Sequence, residues 1–170
     1  MLAKRFVDYL YVINPEIKAD RTVLVFAAAS LLLNVSIVGT TMLYGCLKND
    51  VVSAIFAVVI GWNLRYFSGG HHAKNLFACY VMTTTVLILS MTLNSTNLMS
   101  YAVMFFGGVI CISVAPTMIS KAENKAKHRL YKLCTLGIIL SNSFLLSDIL
   151  TVLTFFQSWS LLYHKYTLQK

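Results

Sequence analysis

The residues best suited to chemistry in this chain stand in one stretch, Arg65–Cys79, which reads RYFSGGHHAKNLFAC. It places a cysteine, Cys79, close to a histidine, His72. The thiolate is the nucleophilic form of cysteine, and a neighbouring imidazole can take its proton and steady the anion. On one α-helix the two residues would share a face, because seven positions turn through about 700°. Their Cα atoms would still be about 10.5 Å apart along the axis, too far for a relaxed nitrogen–sulfur contact. A working dyad therefore needs His72 on a loop folded back over the start of the helix that carries Cys79. Ser68-Gly69-Gly70 supplies a break at that place, since glycine accepts backbone conformations that other residues avoid. Orphan N–H groups at such a helix start can hold an oxyanion, with Cys79 expected about a turn too deep for them. His71 could serve in place of His72, and a surface histidine beside an inert buried cysteine is the plain alternative.

Other chemistries find little support. Cys46, Cys111 and Cys134 lie in or beside apolar runs, show no CxxC spacing, and read as small buried hydrophobes. His128 sits among lysines and His164 near the C-terminus, so both are expected in solvent. No HExxH is present, and neither a metal nor a cofactor is expected. The acids are Asp8, Glu16, Asp20, Asp50, Glu123 and Asp148. None is close to the dyad in sequence, so no third orienting residue is named.

The elements that must position this pair are membrane helices. Of 170 residues, 58% are hydrophobic and 12% charged, about half the charge of an ordinary soluble domain. Thr22–Leu47 runs 26 residues without a charge and Asn75–Ser120 runs 46. A helix crosses the hydrocarbon with roughly 20 apolar residues, so the first run is one span and the second is two. The hydrophobic run starts only at residue 22 and no small-residue cleavage site follows it, so the first span is expected to be retained.

In chain order, Met1–Asn14 reads as an amphipathic helix with Leu2, Phe6, Tyr9 and Ile13 on one face, suited to the membrane interface; packing on the cytoplasmic side is the alternative. Val51–Leu64 is a short apolar run of 14 residues, read as a tilted or partial span flanked by Trp62, Arg65 and Tyr66. Arg65–Lys74 is read as a polar segment, Asn94–Asn97 as a turn, and about Tyr101–Ser120 as a span containing Gly107-Gly108 and Pro116. Lys121, Lys125, Lys127, Arg129 and Lys132 mark a basic loop at 121–132. Leu133–Tyr163 is either one long helix or a hairpin turning near Ser147-Asp148. The expectation is a single all-α polytopic domain over 1–170: an interfacial helix at 1–14, about five or six transmembrane helices, a catalytic segment at 65–79 and the basic loop.

The net charge of +8 gathers in the 121–132 cluster and in Lys4, Arg5, Lys18 and Arg21. The positive-inside rule accounts for both, placing them and the Arg65–Lys74 segment on the cytoplasmic face. No nucleic-acid partner is needed to explain the charge.

Arg65, Gly70, His72 and Cys79 form an Arg-x4-Gly-x-His-x6-Cys pattern, and here the chain resembles the accessory gene regulator B family, membrane cysteine endopeptidases of bacterial quorum sensing. Ala73, Cys79-Tyr80, Ala115-Pro116 and Asn124-Lys125 agree with that resemblance. It implies a Gram-positive bacterial cell membrane and a substrate that is a small pro-peptide with an amphipathic leader, a signal segment and an acidic tail. Cys79 would attack at the signal–tail junction with His72 as base, and a nucleophile in the peptide would then release a cyclic thiolactone. The resemblance also implies a homodimer in the lipid bilayer. Arg65 would clamp a peptide carboxylate or pair with headgroups, Gly70 would serve the backbone, and the basic loop would hold the acidic tail. A transporter or scaffold that uses only the spans, and a peptidase that releases linear products, are the competing expectations.

Overall fold

The structure is a computed structural model describing residues 2–14, 16, 19–69, 75–94, 96–115, 125–145 and 147–168. Among them stand seven helices and no strand: α1 (Leu2–Ile13), α2 (Arg21–Leu47), α3 (Val51–Ser68), α4 (Leu76–Thr92), α5 (Asn97–Val114), α6 (Lys125–Leu145) and α7 (Asp148–Leu168). Helices α2, α3 and α5 are long and apolar enough to cross a membrane, and α4 is a shorter apolar helix of 17 residues. Many large apolar side chains face outward: Phe26, Val52, Phe77, Phe105 and Trp159 are all exposed. The interior joins an apolar cluster that includes Leu64, Leu87, Ile139, Leu150 and Leu161 to small and hydroxylated groups such as Thr41, Ser90, Ser100, Thr135 and Thr151. An apolar exterior over a core with this share of hydroxyls suits helices solvated by lipid and joined through small polar residues. The chain is an all-α polytopic membrane protein.

Helices α2 to α5 each follow a residue whose side chain satisfies an orphan N–H. Asp20 accepts from Thr22 N at 2.7 Å, Asp50 from Ser53 N at 3.1 Å, Asn75 from Phe77 N at 3.0 Å and Thr96 from Met99 N at 3.3 Å. The turn between α2 and α3 closes with Asn49 in the left-handed region (φ 56°) and Asp50 N donating to Gly45 O at 2.8 Å.

Several expectations change in detail. Helix α3 has 18 residues rather than a 14-residue partial span, and it continues through Arg65 to Ser68. The first four residues of the expected polar segment are therefore helical, because polar side chains do not interrupt the backbone ladder. Helix α5 starts at Asn97 and ends at Val114, one residue before an extended Ala115. Pro116 follows and disfavours helix at the residue ahead of it. The basic loop is shorter than read: residues 125–132 form the first two turns of α6, while 121–124 lie outside the described residues.

The chain after residue 132 is a hairpin. Asn142 Nδ2 donates to Thr151 Oγ1 at 2.8 Å, Thr151 Oγ1 to Ser100 Oγ at 2.9 Å, and Ser147 N to Asn142 Oδ1 at 2.9 Å. This buried chain of bonds ties α5, α6 and α7 at the turn. Helix α7 then packs against α3, α4 and α5. A Cβ on Gly107 would stand 2.8 Å from Thr154 Cγ2, so only glycine lets α5 lie this close to α7; Gly108 faces open space.

Helix α1 packs on α2 through buried Val7, and Asp8 pairs with Arg21 at 2.5 Å. Its Phe6, Tyr9 and Ile13 are exposed. One face of α1 thus packs on α2 and the aromatic face is exposed.

Candidate active site

Arg65 and Cys79 face one another across α3 and α4. Cys79 lies four residues into α4, and its N–H donates to Asn75 O at 3.0 Å, the first full bond of that helix. The amide is thus committed to the ladder, and the thiol, half-buried, stands one turn above the helix start. Arg65 lies in the last turn of α3. Its Nη2 is 3.7 Å from Cys79 Sγ and its Nη1 donates to Thr83 Oγ1 at 3.2 Å. Thr83 follows Cys79 by four residues and so shares its face of α4. The guanidinium therefore reaches across to α4 and spans Cys79 and Thr83.

The backbone leaves α3 through Gly69. Its φ of 74° and ψ of −139° are open to glycine and strained for other residues, and its N–H donates to Arg65 O at 3.0 Å. The expected glycine break is at this residue. Gly70, His71, His72, Ala73 and Lys74 lie outside the described residues, so the dyad's histidine and the motif's second glycine carry no geometry here. Gln157 of α7, which sequence reasoning passed over, donates from Nε2 to Ser68 Oγ at 2.6 Å and to Gly69 O at 2.5 Å.

Two features frame this centre. Tyr80, next to Cys79, shares a 2.7 Å hydrogen bond with Thr40, about 28 Å along α2 from Arg21. Around that bond a groove of about 580 Å³ opens between Leu33, Thr40 and Leu43 of α2 and Leu76, Phe77 and Tyr80 of α4. On the other flank, Tyr131 of α6 bonds the Tyr66 hydroxyl at 3.1 Å and packs on Phe67, with Lys127 Nζ 5.8 Å from the Tyr131 ring centre. The basic start of α6 is thereby fixed to the end of α3 that bears Arg65. Lys127 and Arg129 are exposed and Lys132 is half-buried; Lys121 lies outside the described residues, as does the side chain of Lys125.

Two minor expectations are corrected. His128 is buried, at 8% exposure, rather than solvated, because it turns under α6 where Lys127 and Arg129 turn out. Cys46, near the end of α2, is exposed rather than buried. Cys111 is fully buried as expected. Among the described residues no three histidine, cysteine or acidic groups gather as a metal site.

No curated protein and no solved structure matches the chain. The family description "Accessory gene regulator B" matches residues 3–168 of its 170. With its Arg65–Cys79 pairing at the head of α4, this chain belongs to the accessory gene regulator B family and has a role in that quorum-sensing system.

Proposed function

We propose that the protein is a cysteine endopeptidase embedded in the cell membrane, which removes the tail of an autoinducer pro-peptide and cyclises what is left. The observation that carries this reading is the contact of Arg65 Nη2 with Cys79 Sγ. Of the four cysteines, Cys79 is the one half-buried beside a guanidinium at a helix start that follows a glycine break. An inert core cysteine has no use for a half-buried cation held against it.

In the proposed reaction His72 takes the Cys79 proton, and the thiolate attacks the carbonyl carbon at the signal–tail junction. The C–N bond breaks as the imidazolium returns that proton to the leaving amine. The signal segment is left as a thioester on Cys79. A thiol within the bound peptide then attacks this thioester, its proton passing to the Cys79 thiolate, and a cyclic thiolactone departs. Exchange of an amide for a thioester is uphill, so departure of the tail draws the reaction forward. Exclusion of water from the acyl-enzyme protects the ring-closing path from hydrolysis.

Arg65 holds the thiolate in this scheme, and Gly70 serves the backbone ahead of His72. Lys121, Lys125, Lys127, Arg129 and Lys132 receive the acidic tail on the cytoplasmic side, a role supported by the Tyr66–Tyr131 contact that brings the start of α6 to the end of α3. The test is tail release from a candidate pro-peptide by protein reconstituted in vesicles. Cys79→Ala and His72→Ala should abolish release; release by both at the parent rate would leave the scaffold reading in its place.

A further inference from the structure

We propose that Gln157 is a positioning residue that holds the Ser68–Gly69 cap of α3 and, through it, the reach of Arg65 to Cys79. The inference rests on Cys79 being the nucleophile.

Gln157 stands in an apolar stretch of α7, LTFFQSWSLL. An amide in such surroundings costs free energy unless it is bonded. Its Nε2 lies 2.6 Å from Ser68 Oγ and 2.5 Å from Gly69 O. A backbone carbonyl only accepts, so the nitrogen end of the amide must face it, and its two hydrogens match the two oxygens. Ser68 is fully buried and donates its own hydrogen to Leu64 O at 2.6 Å. The hydroxyl therefore has a lone pair for Gln157.

The position of this clamp gives it a role beyond packing. Gly69 caps α3 with φ in the left-handed region, four residues after Arg65. Gly69 N also closes onto Arg65 O at 3.0 Å. The same turn of α3 is thus held at its backbone by Gln157 and at its Arg65 side chain by Thr83 and Cys79. Without the amide, Ser68 keeps its bond to Leu64 O and Gly69 O is left with only the longer 3.3 Å approach of Ser68 Oγ. The cap can then relax, and Arg65, whose carbonyl it closes on, shifts against Cys79. Displacements of about 1 Å in such a site cost on the order of 100-fold in rate.

Gln157→Met keeps the length of the side chain, removes both hydrogens and is at home in a membrane helix. In vesicles it should release tail with kcat about 100-fold down and KM unchanged, with the parent's thermal midpoint. Alkylation of Cys79 by a small neutral reagent at fixed pH should slow with it, which a purely structural role would not produce. Gln157→Glu sets a carboxylate against two acceptors; its activity relative to the parent should rise as acid restores a proton to donate. A Gln157→Met protein that matches the parent in kcat and alkylation, beside an inactive Cys79→Ala, would overturn the clamp and leave the nucleophile standing. Tail release by Cys79→Ala itself would overturn both.

Discussion

Arg65 and Cys79 are on different helices, yet the Arg65 guanidinium Nη2 lies 3.7 Å from the Cys79 sulfur while Nη1 is held by Thr83 at 3.2 Å. The planar fork spans both partners at once, which a lysine ammonium on a flexible stem does not do. Arg65→Ala should therefore slow both alkylation of Cys79 and tail release by about 10- to 100-fold, the worth of one hydrogen bond to a charged group. Arg65→Lys should fall between. The alkylation rate at fixed pH, measured without peptide, separates this role from substrate binding: a clamp on the peptide's carboxylate would lower tail release and leave alkylation as it was.

Gly107 and Gly108 are adjacent and should respond oppositely to the same change. A Cβ on Gly107 would meet Thr154 Cγ2 at 2.8 Å and Ser158 Oγ at 3.1 Å, whereas Gly108 has open space. Thr154 is β-branched and has little rotamer freedom to yield. Gly107→Ala should cost about 1–3 kcal/mol, read as a lower thermal midpoint in detergent. Gly108→Ala should be neutral or slightly stabilising, since alanine is the better helix former.

Asp50 gives the α2–α3 turn a dependence on pH. Its carboxylate accepts from the Ser53 side chain and backbone N–H, which hold it below the usual carboxylate value. A depressed carboxylate adds stability above its unfolded pKa and loses it as pH falls through the folded one. The difference in thermal midpoint between the parent and Asp50→Ala should thus be full at neutral pH and shrink below about pH 4. A difference that stays constant down to pH 3 would contradict the cap.

Much of the architecture was legible because lipid demands long apolar helices. The charge-free runs located α2, α4 and α5, and Asn94–Asn97 marked the turn between the last two. Hydropathy misplaced the ends that carry function. Arg65 and Ser68 read as loop, yet both are bonded within a helix whose ladder runs to Gly69. The lysines of 125–132 likewise read as loop because charge is a weak guide to where a helix begins. The partners of Gln157 are 88 and 89 residues away and could not be read from its neighbours. The one signal that pointed to it was a lone amide in an apolar run.

The central claim is that Cys79 carries the peptide as a thioester. Intact-mass analysis of the reconstituted protein, quenched in acid during turnover of a candidate pro-peptide, tests it most directly. The account predicts an adduct of the signal segment's mass on Cys79, removed by hydroxylamine and absent from Cys79→Ala. It also predicts a released product lighter by one water than the linear fragment. Tail release with no adduct at any time, at a rate unaffected by Cys79→Ala, would contradict it.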